Sequence, residues 1–220
     1  DFATATSNDI VVVQGNLVPS NSLVRINPYQ SIVLPAGTYP LINYTGALSW
    51  DGAFNPAVQG TNTSRSAWTL TNDVPNWVNL TVSAPFGTSI TWRGWVNGDW
   101  DVGITTNWVI DSNGTPTPFY HYDTITFDDT GLMNAVNLTT AVQPTFMQVN
   151  NSAVNYTVSS LSGLGKITGI TGVMKTGAGA IGFMTPNDYT GATMIFGGAL
   201  TIYDAPAFNS IVTVNPGCAF

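Results

Sequence analysis

Four aspartates are the residues of this chain whose type and spacing could support catalysis or cation binding. Asp99 and Asp101 are separated by one residue, and Asp128 is adjacent to Asp129. Paired carboxylates can act as acid and base in glycoside hydrolysis, and clustered carboxylate oxygens can bind Ca²⁺. However, Asp99 lies in an Asn-Gly-Asp turn signature, and Asp128 and Asp129 end a predicted strand. Because aspartates in turns commonly hydrogen-bond their own backbone, we interpret all four as turn residues.

His121 is the only histidine of the chain, and Cys218 is the only cysteine. A Ser-His-Asp triad needs a nucleophile, and the sequence contains no Gly-x-Ser-x-Gly turn. One histidine and one distant cysteine cannot supply the three protein ligands of a zinc site. We interpret Cys218 as a small buried hydrophobe, with an intermolecular disulfide as the alternative. The sequence therefore predicts a protein that is not an enzyme and has no cofactor or metal.

Tryptophan is concentrated in one part of the chain, since all seven residues lie between Trp50 and Trp108. Indole rings stack on sugar rings, so part of this cluster is a candidate glycan contact. The candidates are Trp92, Trp95, Trp100 and Trp108. The alternative, which we favour, is a hydrophobic plug packed over one face or mouth of the fold, because aromatic side chains bury a large area.

Seven Asn-x-Ser/Thr sequences are candidate N-glycosylation sites. Their asparagines are Asn43, Asn62, Asn79, Asn113, Asn137, Asn150 and Asn155. The number is only slightly above what the abundance of Asn, Ser and Thr would produce by chance.

The composition favours an all-β protein and excludes several classes of partner. Hydrophobic residues make up 44% of the chain and charged residues only 8%, with no glutamate and five lysines and arginines. Strong helix formers are therefore scarce, whereas Thr, Val, Gly and Asn abound. The net charge of −7 disfavours nucleic acid. No apolar run reaches the length of a membrane-spanning helix. A surface made soluble by Thr, Ser and Asn suits an extracellular structural protein.

The segment 168–215 is a ladder of short apolar runs separated by glycine-rich turns. Such runs, rich in β-branched and aromatic residues, are typical of strands. Two pairs of like segments are twenty residues apart, from Val173 to Thr193 and from Gly182 to Ile202. This step predicts a coiled β-solenoid, in which each turn stacks on the last.

The rest of the chain divides into two further segments. Residues 1–48 are predicted to be strands that continue a solenoid, at Asp9–Gln14, Ser22–Ile26, Ser31–Leu34 and Tyr39–Tyr44. Residues 49–130 form a Trp-rich β segment that is an insertion or cap, and residues 131–220 form the solenoid rungs. No amphipathic helical period persists over ten residues, so no helix is predicted.

Three sequence motifs resemble the autotransporter-associated β-strand repeat of bacterial surface proteins. They are Lys175-Thr176-Gly177-Ala178-Gly179, Asn187-Asp188-Tyr189-Thr190-Gly191-Ala192-Thr193 and Gly197-Gly198-Ala199-Leu200. An upstream group resembles the module that often precedes this repeat: Trp92, Trp100-Asp101, Asn107-Trp108, Asp123 and Phe127-Asp128-Asp129-Thr130. The segment from Gly37 to Gly46 resembles the close of a preceding unit.

This resemblance implies a right-handed parallel β-helix in an exported passenger protein with an adhesive or structural role. Ile181 and Phe183 stand where the repeat tends to have leucine, and only one clear copy of the repeat is present. No membrane barrel lies within these residues, so the resemblance does not extend to export as an autotransporter.

From these observations we expect an extracellular or cell-surface building block that associates with itself, as a homopolymer or a tandem array, in a fibre, sheath or layer. Neither end of the sequence carries the polar cap of a finished solenoid. The expected contacts are Ile10, Val11, Val12 and Val13 at one end and Ile211, Val212 and Val214 at the other. The alternatives are a carbohydrate-binding adhesin module and a polysaccharide-active β-helix enzyme. The enzyme would need a basic residue beside an acidic groove, and the sequence shows no such cluster.

Overall fold

The structure is a computed structural model that describes residues 2–4, 7–19, 22–26, 33–49, 58–60, 62–203 and 210–220. These residues form strands, turns and irregular segments, with no helix among them. The strands are β1 Phe2–Thr4, β2 Ser7–Asn8, β3 Val11–Val13, β4 Val24–Ile26, β5 Gly37–Tyr44, β6 Val58–Gly60, β7 Trp68–Thr71, β8 Trp77–Val82, β9 Ser89–Trp92, β10 Asp99–Trp100, β11 Trp108–Ile110, β12 Pro116–Thr117, β13 Thr124–Asp128, β14 Ala135–Leu138, β15 Ala141–Val142, β16 Phe146–Asn150, β17 Tyr156–Ser159, β18 Lys166–Ile167, β19 Gly172–Thr176, β20 Ala180–Phe183, β21 Thr193–Ile195, β22 Ala199–Ile202 and β23 Val212–Val214. The all-β class predicted from the composition is confirmed.

The chain divides into two compact units, an N-terminal unit Asp1–Phe86 and a C-terminal unit Gly87–Phe220. This division differs from the three segments expected from the sequence. The expected limit after residue 48 falls between β5 and β8, which pair antiparallel. The limit after residue 130 falls between β13 and β16, which pair in parallel. Backbone pairing across both expected limits therefore joins residues that the sequence analysis had assigned to different segments.

The N-terminal unit is built around a four-stranded sheet in the order β3-β5-β8-β7. Its core includes Tyr39, Leu80 and Val82, which are buried on one face of β5 and β8. Two small sheets, β1-β2 and β4-β6, complete the described strands. Three of the four predicted strands are found here within a few residues, whereas Ser31–Leu34 lies partly outside the described residues.

The C-terminal unit contains an eight-stranded, a five-stranded and a two-stranded sheet. The eight-stranded sheet is mixed: β12, β11 and β9 pair antiparallel, and β9, β13, β16, β19, β21 and β23 follow in parallel. The five-stranded sheet, β10-β14-β17-β20-β22, is parallel throughout. The chain returns to each sheet in turn, because parallel neighbours require a crossover between them.

One of the two predicted twenty-residue steps is confirmed, and the other is wrong by one residue. Val173 lies opposite Thr193, whereas Gly182 lies opposite Thr201 rather than Ile202. The two turns explain the difference, since 176–179 separate Lys175 from Ala180 but only 196–198 separate Ile195 from Ala199.

Alternate side chains of the eight-stranded sheet form continuous buried columns. One column contains Ile90, Ile125, Met147, Val173, Thr193 and Val212. A second contains Phe127, Val149, Lys175, Ile195 and Val214. Every member as far as Thr193 and Ile195 is fully buried. The core of this unit therefore lies along one face of the eight-stranded sheet, because successive side chains of a strand point to opposite faces of the sheet.

Candidate functional site

The edge strand β23 exposes the last members of both buried columns. Ile195 is fully buried, but Val214, which lies opposite it, is 42% exposed. Val212 packs against the core and is only partly buried. Ile211, one residue earlier, is largely exposed. In the sheet formed by the described strands, no strand lies beyond β23. These valines thus face the core side of the sheet at its uncovered edge.

Strand β3 is an edge strand of the N-terminal unit, and it too exposes valines that lie on the core face of its sheet. It pairs only with β5 in its sheet, where Val11 lies opposite Ile42 and Val13 opposite Tyr44. Tyr44 is buried and Ile42 packs against the core, so Val11 and Val13 continue the core face. Val11 is nevertheless 60% exposed, and Val12 is exposed to a similar extent on the opposite face.

The backbone of each edge strand has unpaired polar groups that point away from its sheet. In β23, the carbonyl of Ile211 accepts from Thr193 N at 2.9 Å and Asn215 N donates to the Ile195 carbonyl at 2.9 Å. In β3, the Val13 carbonyl accepts from Thr45 N at 3.2 Å. Because successive residues of a strand direct their N–H and C=O to opposite edges, Val212, Val214 and Val12 present theirs outward. Such a row is a template for pairing with a further strand.

The seven predicted contact residues therefore lie on or beside two edge strands, where five are exposed and Val13 and Val212 are partly buried. Ile10 is also exposed, at 44%. Their role in association is not tested by these positions and remains a prediction.

Three of the four predicted glycan-contacting tryptophans are buried, which corrects that prediction. Trp92, Trp100 and Trp108 are at most 1% exposed, so no sugar ring can stack on them. They pack on one another with ring centroids 5.0 to 5.3 Å apart, in edge-to-face geometry. Of these four residues, Trp95, at 49% exposure, presents its indole to solvent.

Of the four aspartates, only Asp129 lies in a turn: Asp99 and Asp128 lie in β10 and β13, and Asp101 directly follows β10. All four accept hydrogen bonds from nearby groups. Asp128 accepts from Thr130 N at 2.9 Å, and Asp101 accepts from Thr105 N at 2.9 Å. Asp99 accepts from the side-chain amide of Asn137 at 2.7 Å. Among the described residues, no group of three or more His, Cys or Asp side chains could hold a metal ion.

Asp129 does more than close its own turn. Its Oδ1 accepts from the backbone N–H groups of Ser152, Ala153 and Val154, at 2.9, 2.8 and 3.0 Å. These three donors hold the pKa of the Asp129 carboxyl below its ordinary value. The side chain thus joins two successive turns, a contact that its place in the sequence did not reveal.

His121 is a structural acceptor. Its Nδ1 accepts from the Gln143 backbone N–H at 3.2 Å, and its ring lies edge-on to Phe119 at 6.1 Å. Burial lowers the pKa of His121 to about 4, so the imidazole is neutral at physiological pH. It has no nucleophile among its described partners.

The Lys-Thr-Gly motif contains a buried lysine whose role the sequence analysis missed. Lys175 points into the core column, and its Nζ donates to the carbonyls of Thr176, Gly177 and Gly197 at 2.5, 2.9 and 3.2 Å. Burial lowers the pKa of this amine. The lysine therefore binds two stacked turns together, which explains a cation within an apolar column.

The glycines of the same turns are required by backbone geometry. Gly177 and Gly198 have φ values of +74° and +67°, a region that favours glycine. A Cβ on Gly177 would lie 2.2 Å from the Asn151 carbonyl oxygen. The turns stack this closely because neither residue has a side chain.

The Asn-Asp-Tyr-Thr-Gly motif also forms contacts between successive turns. The buried Asn187 accepts from Ile167 N through Oδ1 at 2.7 Å, and Thr190 N donates to the Gly169 carbonyl at 2.8 Å. The buried Tyr189 hydroxyl lies 3.0 Å from Thr193 Oγ1. These motif residues thus have structural partners. The partners of Asn187 and Thr190 lie about twenty residues away, whereas Thr193 lies within the motif itself.

Only some of the candidate glycosylation asparagines have accessible amides. Asn79 is buried, and the Nδ2 atoms of Asn43, Asn62 and Asn137 donate to neighbouring oxygens. The remaining three are on the surface: Asn113, Asn150 and Asn155. Cys218 packs against the core but is half-buried, not buried as the interpretation of a small hydrophobe predicts.

No family model, curated protein or solved structure matches this chain. The resemblance to the bacterial repeat therefore remains an expectation that depends on the motif residues alone. Among the described residues, no helix is long and apolar enough to cross a bilayer.

Proposed function

We propose that this protein is an extracellular structural building block that associates end to end into a surface fibre, sheath or layer. In this proposal the C-terminal unit is a right-handed parallel β-helix, and its rungs supply the repeating core. The parallel order β9-β13-β16-β19-β21-β23 and the buried side-chain columns support this proposal. The handedness follows from the resemblance to the bacterial repeat.

The observation that carries the proposal is the pair of edge strands β23 and β3, beyond which no other described strand continues the sheet. Soluble proteins usually protect such edges with charged residues, proline or bulges. Neither edge strand contains any of these, since β3 is Val-Val-Val and β23 is Val-Thr-Val. Pairing with a further copy would bury the exposed valines and provide partners for the outward backbone groups. Full burial of one valine side chain contributes about 1.5 kcal/mol or more.

The extracellular location rests on the composition and on the resemblance. Charged residues make up 8% of the chain, and the three described cations of the C-terminal unit are all engaged. Arg93 and Lys166 pair with Asp128 and Asp188, at 3.5 and 2.6 Å, and Lys175 is buried. The described cations of this unit are thus paired or buried rather than free at its surface.

The test is a proline at the outward-facing amide of β3. Val12→Pro removes an N–H that β5 does not use, so it should leave the monomer folded while shortening or abolishing fibres. Val12→Thr is the matched control, because it keeps both the N–H and the β-branched shape. Fibre length is measured by electron microscopy and assembly mass by sedimentation velocity. Unchanged fibres in the proline variant, or a wild-type chain that stays monomeric at high concentration, would refute the proposal.

A carbohydrate-binding adhesin module is the second candidate, and Trp95 is the observation that favours it. Leu132 N donates to the Arg93 carbonyl at 2.8 Å, so the exposed Leu132 lies beside the segment that carries Trp95. An exposed indole in an apolar patch is a platform on which a sugar ring can stack. Retention of the protein on a polysaccharide matrix, lost on Trp95→Ala, would favour this function over the structural one.

A further inference from the structure

The two edge strands differ in which residues carry the free backbone groups. In β23 they belong to the core-facing valines, whereas in β3 they do not. In β23, Val212 and Val214 face the core, and these same residues direct their N–H and C=O to the free edge. In β3, Val11 and Val13 face the core, but their backbone groups point toward β5. At the free edge of β3, the outward N–H and C=O groups instead belong to Val12, whose side chain lies on the opposite face.

This difference decides which direction of pairing is compatible with both strands. In an antiparallel pair, directly opposed residues both point their backbone groups toward the partner or both point them away. Val212 would then oppose Val12, and a core-facing side chain would meet a side chain on the outer face. The apolar columns would be interrupted at the joint.

Parallel pairing has the opposite requirement. A residue that directs its backbone groups toward the partner lies opposite one that directs them away. Val212 can then oppose Val11, and Val214 can oppose Val13, with all four side chains on the core face. The same rule already holds within the sheet, where Thr193 bonds to Ile211 while lying opposite Val212.

We infer that β23 of one copy pairs with β3 of the next in parallel, with Val212 opposite Val11 and Val214 opposite Val13. This inference rests on the proposed function and specifies its interface. Val212 N would donate to the Ile10 carbonyl, and Val12 N to the Val212 carbonyl. Val214 N would donate to the Val12 carbonyl, and Gln14 N to the Val214 carbonyl. The column of Phe127, Val149, Lys175, Ile195 and Val214 would continue into Val13 and Tyr44 of the neighbouring copy.

Cysteine cross-linking tests this register directly, because directly opposed residues lie within the Cα separation that a disulfide requires. In a Cys218→Ser background, the pair Val13→Cys and Val214→Cys is compared with two controls. Val12→Cys with Val212→Cys reports the antiparallel alternative, and Val11→Cys with Val214→Cys reports a slip of two residues. Mild oxidation is followed by non-reducing electrophoresis, and sedimentation of the Cys218→Ser parent measures association independently.

We expect a ladder of covalent oligomers from the 13/214 pair and mainly monomer from both controls. A ladder of equal or greater intensity from the 12/212 or 11/214 pair, in a parent that associates, would overturn the register and leave the proposed function intact. A parent that sediments as a monomer would overturn both. Failure of all three pairs to cross-link in an associating parent would place the contact on other strands and overturn the inference alone.

Discussion

The eight-stranded sheet of the C-terminal unit ends differently at its two edges. At one edge, the antiparallel strands β11 and β12 adjoin β9, and the short outermost strand carries Pro116. At the other edge, β23 is a parallel strand with no proline and no charge. Proline and shortness are common means of preventing further pairing, so the first edge is closed and the second is open.

The side chains packed beneath these two edges also differ, in size and in exposure. A cluster of Trp92, Trp100, Trp108, Phe119 and Phe127 lies near the closed edge, and all five rings are essentially inaccessible. Small aliphatic residues lie at the open edge, where Val214 remains 42% exposed. Large aromatic side chains thus cover the core near one edge of the sheet, whereas small aliphatic side chains at the other edge are partly exposed.

Loss of one aromatic ring at the closed end should have the largest effect on stability. Trp108 is buried among Trp92, Trp100 and Phe127, so Trp108→Ala removes a large part of this cluster. We expect a decrease of about 3–5 kcal/mol in the free energy of unfolding, measured by urea denaturation. Trp95→Ala, at the exposed indole, is the control and should change it by less than about 1 kcal/mol. Equal effects would show that the cluster does not seal this end.

Acid should weaken the closed end before it affects the open one. The folded protein keeps His121 neutral down to pH about 4, whereas the unfolded chain protonates it near 6.5. The unfolded state therefore binds more protons between these values. Stability contributed by neutral His121 is fully present above pH 6.5 and is lost as pH falls toward 4, by up to about 3 kcal/mol.

This pH dependence is measured by urea denaturation at several pH values, with His121→Gln as the matched control. Glutamine retains an acceptor for Gln143 N but does not titrate in this range. Hydrogen exchange at the Gln143 amide reports local opening at the closed end. An identical pH profile in the wild type and the glutamine variant would contradict the assignment.

Strand positions were largely predictable from the sequence because the apolar alternation is local. Val173 and Gly182, in the predicted ladder, each lie within a strand, and the pairing of Val173 with Thr193 was predicted correctly. The plug-like packing of the tryptophans was also the favoured alternative. The exposure of Trp95 was not predictable from the sequence. Trp92 and Trp95 are only three residues apart in the same aromatic-rich segment, and what distinguishes them is burial in the folded structure.

The contacts between stacked turns were the part that the sequence could not provide. Lys175, Asp129 and Asn187 resemble ordinary turn or surface residues in sequence, yet each bonds to backbone about twenty residues away. Such partners depend on the length of every turn between them. The one-residue error at Gly182 has this origin, since a single shorter turn changes the pairing on the next sheet.

The smallest expected change in the free energy of unfolding is at Val214, at the open end of the second column. Val149 and Val214 both belong to the column that starts at Phe127, but Val149 is fully buried. Val149→Thr places a hydroxyl in the core and should reduce the free energy of unfolding by about 1–3 kcal/mol. Val214→Thr keeps its hydroxyl hydrated and should change it by less than about 0.5 kcal/mol.

Both substitutions are measured by urea denaturation in the Val12→Pro background, where association does not cover the open edge. In the associating parent, Val214→Thr should instead become costly, because the joint buries the hydroxyl beside Val13 of the next copy. A large loss for Val214→Thr in the Val12→Pro background would mean that the edge is covered within a single chain. The contrast between the two ends would then be absent, because the column would be closed at β23 as well as at its aromatic end.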